Sequence, residues 1–280
     1  MKMISMNQIK VFSFCTIAAF FLSTTSLTAS AEEIPEKGTN DTMETAELIT
    51  ANNEKPSGAV DGKHAGQSLV EGYTNSKDPD WYKVILFPGT NYLTCYGNVG
   101  YSFRVTNSNG DTIVTDTYGK LHNDYAVYSF TVPMSGYYYI EFQGSKYPND
   151  EWYVFMIGSP TYVLDSCKIP CAEGSVSMTS GGGTRTVHFD GSSVSGLPRD
   201  AIASYAKMTG ITTNATSGVR VYNDDRGLSF TLIRYTWYRD SLISMNLPIE
   251  STWTAEFEYN NKNVTFTPVL SLNYVYPVYE

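Results

Sequence analysis

Apolar and polar residues alternate with a period of two along much of this chain, the mark of half-buried β-strands. In Tyr101-Ser-Phe-Arg-Val-Thr106, residues Tyr101, Phe103 and Val105 fall on one apolar face. In 252–259, Trp253, Ala255, Phe257 and Tyr259 do the same. The first half carries further candidate strands at 81–87, 92–96, 112–115, 125–131, 137–142 and 152–157. The second half carries them at 175–178, 184–189, 218–222, 228–233 and 264–270. Turn residues separate these runs, as in Asn107-Ser-Asn-Gly110 and Pro133-Met-Ser-Gly136. Asn260-Asn261-Lys262-Asn263 reads as a hairpin-type connection. Helix signals are few. Asp41 is placed to cap a short helix over 41–49 with Glu44 as its reciprocal partner, and 201–208 reads as a strand or a short helix.

This pattern predicts an all-β protein of two β-sandwich, jelly-roll-like domains. Residues 32–159 form the first and 160–280 the second, divided at the turn-forming Gly158-Ser159-Pro160. Residues 1–31 read as a secretory signal peptide. Lys2 and Lys10 precede an apolar run from Val11 to Leu22, and Ala29-Ser30-Ala31 supplies the small residues of a cleavage site. The apolar run is too short for a permanent membrane anchor, and no later stretch is long enough to span a bilayer as a helix. The expected location is extracellular, released or held at the cell surface.

Removing two lysines and no acid leaves 17 basic against 28 acidic side chains, a net charge of −11. That excess argues against nucleic acid and anionic membrane as partners and is compatible with cations. Three cysteines remain. Cys167-Lys-Ile-Pro-Cys171 is a close pair, either a small disulfide loop in an oxidising exterior, free thiols, or half of a metal site. Cys95 lies in an apolar strand and reads as a small core residue.

The order of several short motifs resembles the bacterial pre-peptidase C-terminal domain over residues 40 to about 157. Asn40-Asp41 leads to Thr45-Ala46. Gly58-Ala59-Val60 follows, then Asp78-Pro-Asp80-Trp81-Tyr82, and Ser135-Gly-Tyr-Tyr-Tyr-Ile140 closes the set. The resemblance implies a secreted jelly-roll-like sandwich that binds and does not catalyse, with Gly58-Ala59-Val60 in a strand. In collagenase-type members it implies calcium held by oxygens of the N-terminal segment and of the loop before the Asp-Trp-Tyr strand. The matching candidates are Asn40, Asp41, Asp78 and Asp80, with Glu36 in reach and Gly38 where a second acid is expected. The stretch from Gly66 to Asn75 is longer than the family turn. Residues 161–280 carry no such resemblance.

No catalytic constellation emerges. Gly191-Ser-Ser-Val-Ser-Gly196 lacks the spacing of a nucleophile elbow, and there is no His-Glu-x-x-His. Asp224 and Asp225 sit in a turn, Glu256 and Glu258 on the polar face of one strand, and His188 alone in another. Exposed aromatic rings are the stronger lead, because flat rings on a β-surface stack on sugars or extended polymers. Tyr137-Tyr138-Tyr139 must turn at least one ring to solvent, and Tyr235-Thr-Trp237-Tyr238-Arg239 sets rings beside a cation. The ligand candidates are Tyr137, Tyr139, Trp237 and Tyr238. The reading is a secreted, non-catalytic binding or adhesion protein for extracellular polysaccharide or protein. The alternatives are a hydrolase with its site in the C-terminal half, or a structural component of a surface assembly.

Overall fold

A computed structural model describes residues 31–98, 100–119, 125–144, 151–179, 183–212, 215–260 and 263–279. The signal-peptide reading therefore lies outside the described residues, except for Ala31. The chain is all-β and divides into two compact units, residues 1–161 with 279–280, and residues 162–278. No helix among the described residues is long and apolar enough to cross a membrane.

Unit 1 packs two five-stranded sheets face to face. One contains β1 (Glu32–Pro35), β3 (Ser68–Thr74), β5 (Gly89–Gly97), β8 (Ala126–Val132) and β10 (Glu151–Gly158), in the order β1-β3-β10-β5-β8. The other contains β2 (Glu47–Leu48), β4 (Asp80–Leu86), β6 (Ser102–Asn107), β7 (Thr112–Thr117) and β9 (Gly136–Gln143), in the order β2-β4-β9-β6-β7. Alternation decides the core. Tyr82, Val84 and Leu86 point inward from β4, and Phe103 and Val105 from β6. Tyr153, Phe155 and Ile157 meet them from β10. Rings dominate the contact. Phe142 stacks on Tyr153 with centroids 4.4 Å apart and planes 9° apart, and Tyr101 stacks on Tyr118 at 5.0 Å. Such offset pairs add to the burial of large apolar area.

Three local expectations are corrected. Residues 41–49 form no helix. Thr42 and Thr45 close a turn on each other, the Thr42 amide donating to the Thr45 hydroxyl at 3.1 Å, and the chain then enters β2. Gly58-Ala59-Val60 is not a strand but the end of the helix α1 (Pro56–Val60), which Pro56 opens. The unexplained stretch after Gly66 is β3. Its inward positions are Ser68, Val70, Gly72 and Thr74, mostly small or polar, so apolar alternation does not reveal it.

Unit 2 also has facing sheets. Strands β11 (Tyr162–Pro170), β14 (Ile202–Thr209), β17 (Tyr238–Arg239) and β20 (Val269–Pro277) form the order β11-β20-β14-β17. Strands β13 (Thr184–Asp190), β15 (Thr216–Asn223), β16 (Leu228–Thr231) and β18 (Thr252–Tyr259) form β13-β18-β15-β16. A short pair, β12 (Val176–Met178) and β19 (Val264–Phe266), completes it. Residues 201–208 are thus strand rather than helix. The run 260–263 does not make a hairpin, since β18 and β19 belong to different sheets; Asn261 and Lys262 lie outside the described residues. Trp253, Ala255 and Phe257 are buried on the inner face of β18, as the alternation requires.

Cys95, Cys167 and Cys171 are free thiols. Four residues of extended chain hold Cys167 and Cys171 roughly 13 Å apart, at about 3.3 Å per residue. A disulfide reaches only about 7 Å between Cα atoms, so the expected loop does not close. Cys171 instead joins a turn built on Glu173. The Glu173 carboxylate accepts from the His188 amide at 3.0 Å, bonds the His188 ring Nδ1 at 2.6 Å, and accepts from the Cys171 thiol at 3.3 Å. His188 is therefore an anchor of this turn. Burial pushes the Glu173 carboxyl up, but the two His188 bonds and the thiol outweigh it and hold the group at about 2.

Two stability measurements follow from this packing. Phe142→Ala removes the ring between Tyr153 and Tyr101, and urea unfolding of unit 1 should lose about 3–5 kcal/mol. Glu173 is depressed in the folded state, so its contribution is present above the ordinary carboxylate value of 4.5 and is lost as pH falls toward about 2. Glu173→Gln should lower the melting temperature at neutral pH and flatten its decline across that acid window. A variant whose acid limb matches wild type would remove Glu173 as its source.

Candidate functional site

Asp80 opens β4 and points inward, 1% exposed. The Tyr153 hydroxyl on β10 donates to its Oδ2 at 2.9 Å, and the Tyr82 and Tyr153 hydroxyls are 2.7 Å apart. Glu36, just beyond β1, shares a side-chain hydrogen bond with Asp80 and accepts the Tyr73 amide at 2.9 Å. Burial pushes the Asp80 carboxyl up to about 9, and the Glu36 charge beside it acts in the same direction. The two neighbouring carboxyls therefore resist carrying two negative charges at once. Position 72 must be glycine here, because a Cβ would collide with the Tyr153 hydroxyl and the Glu36 carboxylate.

Asn40 is also 1% exposed. Its carbonyl accepts the Trp81 amide at 2.7 Å, which ties the N-terminal segment to the start of β4. Its side-chain oxygen and nitrogen are buried without a hydrogen-bond partner. Lys37 anchors the same segment to β2 through Glu47, with Nζ 2.7 Å from Oε1. Of the four expected metal ligands, Asn40 and Asp80 are thus inside, with Glu36 half-buried beside Asp80, while Asp41 and Asp78 are exposed. Among the described residues no three His, Cys, Asp or Glu side chains form a group that would hold a metal ion.

The opposite face of the same sheet is flat and aromatic. With Asp80, Tyr82, Val84 and Leu86 inside, Trp81, Lys83 and Ile85 face outward. On β9 the outward residues are Tyr137, Tyr139 and Glu141. The register sets Ile85 opposite Tyr137, Lys83 opposite Tyr139, and Trp81 opposite Glu141. Lys83 Nζ lies 4.0 Å from the Tyr137 ring centroid and 5.6 Å from that of Tyr139. Arg104 on β6 pairs with Glu141 at 2.7 Å and covers the Trp81 ring at 5.6 Å. The outcome is an exposed Tyr137, 44% exposed, beside a half-buried Tyr139, with the Lys83 ammonium against both rings. Cation–π contact restrains the rings. Lys83 and Arg104 were missed by sequence reasoning, although the alternation of β4 and β6 assigns both to this face.

In unit 2, Trp237 is not a surface ring. It is 9% exposed and belongs to the core, its carbonyl accepting the Met208 amide at 2.7 Å. Its position φ of 51° turns the side chain inward from a stretch that reads as an open loop. Tyr238 stacks on Tyr205 at 5.7 Å, and the exposed ring is Tyr235, with the Arg234 guanidinium 4.8 Å from its centroid. The carboxylates considered for catalysis are spread over one sheet face and its adjoining turn. Tyr222 donates to Glu256 at 2.7 Å, Ser217 to Glu258 at 3.2 Å, and Thr254 to Asp224 at 2.9 Å. The run from Gly191 opens as a tight turn in which Asp190 accepts from the Ser192 amide at 3.0 Å.

No protein-family model matches this chain, and no curated protein matches it by sequence. Among solved structures, a protein of Eubacterium rectale assigned as secreted is 14% identical, with a TM-score of 0.56. That match covers 90% of this chain and 88% of the other, and it shows a shared fold. The pre-peptidase C-terminal domain of a Bacillus anthracis collagenase is 15% identical over 40% of this chain and 93% of its own, with a TM-score of 0.28. A surface-associated copper-binding protein of Methylomicrobium album is 8% identical over 40% of this chain and 97% of its own, also with a TM-score of 0.28.

Proposed function

We propose that this chain is a secreted, non-catalytic binding protein whose first unit holds an extended extracellular polymer, a polysaccharide or a fibrous protein, on its outer sheet face. The observation that carries this reading is the Lys83–Tyr137–Tyr139 arrangement on exposed strands. Flat rings two residues apart on one strand are about 6.6–7 Å apart along it. That spacing suits a repeating chain of sugar or imino-acid rings, which stack without deep enclosure. In unit 2, Tyr235 and Tyr238 are the aromatic candidates that remain once Trp237 is assigned to the core.

Calcium belongs to the same proposal. Glu36, Asn40 and Asp80 would hold it, with Asp41 and Asp78 contributing from the exposed side. When bound, calcium would supply positive charge to a buried carboxyl pair that otherwise retains a proton. The chain's own residues do the rest. Asn40 and Lys37 bind the N-terminal segment to β4 and β2, and the Tyr153 hydroxyl fixes the Asp80 carboxyl.

Two experiments test the two parts. In pull-down with insoluble polysaccharides and with fibrillar collagen, Tyr137→Ala/Tyr139→Ala should reduce retention at least tenfold at unchanged melting temperature. Full retention by the double variant would overturn the assignment of this face. Melting of residues 32–280 should rise with calcium over chelator, because a ligand selective for the folded state stabilises it. Asp80→Asn should abolish that rise. The absence of any rise in the wild-type protein would remove calcium from the proposal and leave the aromatic face standing.

A further inference from the structure

Beyond Tyr137 the outer face of unit 1 continues into a groove of about 750 Å³. Small-ligand sites occupy roughly 300–1,000 Å³. Ile85, the cross-strand partner of Tyr137, is one of its walls, so groove and aromatic face are continuous. Leu48, Ile85 and Phe87 give it an apolar side, and they are 62%, 45% and 68% exposed. Thr50, Thr90, Asn53 and Asn91 give it hydroxyls and carboxamides.

Two features narrow the occupant. No lining residue is ionisable, in a chain whose formal net charge is −9. A charged ligand would lose its hydration there and gain no counter-charge. The main chain around the groove is also already paired. The Ile49 amide donates to Lys83, Asn52 to Ile157, Asn53 to Gly66, and Ser159 to Asn52, at 2.7–2.9 Å. A peptide adding as a strand relies on open backbone groups, and these four amides are spent. What remains is side-chain chemistry. The Asn91 carboxamide nitrogen is fixed by the Phe87 and Gly89 carbonyls at 3.1 Å. The Asn52 carboxamide donates to Ser159 at 2.7 Å, while its Oδ1 is buried with no donor. Those two carboxamides brace the wall, while the exposed Thr50 and Thr90 hydroxyls and Asn53 carboxamide can both donate and accept, which matches sugar hydroxyls, and the exposed Phe87 ring matches the apolar face of a pyranose.

We propose that this groove binds a unit of an uncharged glycan, with a ring face against Phe87 and Ile85 and its hydroxyls on the Asn and Thr side chains. This rests on the reading of unit 1 as a polymer binder and narrows the polymer to a neutral saccharide.

The test is titration calorimetry of the mature chain with cello-, xylo-, manno- and N-acetylchito-hexaose, a hexagalacturonate, and a ten-residue proline-rich peptide. At least one neutral hexasaccharide should bind, and the hexagalacturonate should not. Phe87→Ala and Thr90→Asp, both at exposed positions, should weaken that binding at least tenfold at unchanged melting temperature. Binding of the acidic sugar or the peptide alone, or of no saccharide, would overturn the proposal. If Tyr137→Ala/Tyr139→Ala abolishes binding while Phe87→Ala and Thr90→Asp leave it intact, the groove assignment fails and the polymer-binding face survives.

Discussion

The buried hydrogen-bonded chain from Asp80 through Tyr153 to Tyr82 is the constraint on which unit 1 depends. Asp80 and Tyr82 come from one sheet and Tyr153 from the other, so the chain joins the two layers inside an apolar core. Hydrogen bonds are directional where apolar contact is not, and an unmatched polar group in this core would be costly. The Phe142–Tyr153 stack fixes the same tyrosine from a third strand. Once Asp80 and Tyr82 must face inward, the register of β4 against β9 follows. That register decides which residues appear outside. A shift of one residue would bring Trp81 and Lys83 into the core and turn Tyr82 to solvent. The aromatic surface and the buried acid cluster are thus two faces of one strand, fixed by one register.

The same interaction explains why the N-terminal segment is ordered against the sheet. Glu36 reaches the Asp80 carboxyl, and the Asn40 carbonyl takes the amide of Trp81. A pair of carboxyls in a buried site cannot both ionise without compensation, so one keeps its proton or a cation intervenes. Order at the N-terminus and charge at the core are therefore coupled through Asp80.

How much of this could be read from the sequence depends on which residues fill the inward positions. Tyr101 just before β6, Phe103 and Val105 in it, and Trp253, Ala255 and Phe257 in β18 are mostly large and apolar, and the alternation assigned them correctly. Strand β3 buries Ser68, Gly72 and Thr74, so its alternation carries no hydrophobic signal, although Gly72 is required by the closeness of Tyr153 and Glu36. Trp237 defeated a different assumption. An aromatic residue amid turn residues reads as exposed, but a left-handed backbone at Trp237 redirects its ring into the core, and left-handed φ at a non-glycine residue leaves no mark in the sequence. For the cysteine pair, the disulfide alternative gives way to free thiols for a third reason. Proximity in sequence is not proximity in space when the intervening residues are extended. At the site, Asn40 and Asp80 were legible through the motif order, whereas Lys83 and Arg104 required the cross-strand register.

The distribution of charge on unit 1 links these parts to a binding role. The chain is strongly acidic, yet Glu141 on the outer face is paired with Arg104, and Glu47 is paired with Lys37. What remains on the outer face beside β9 is two tyrosine rings and a lysine held over them, and the groove beyond them has no ionisable wall. Net acidity repels anionic surfaces, while this face carries rings and the Lys83 ammonium rather than unpaired acids. Exposed rings on a rigid sheet also lose little conformational freedom on contact, because Lys83 already restrains Tyr137 and Tyr139.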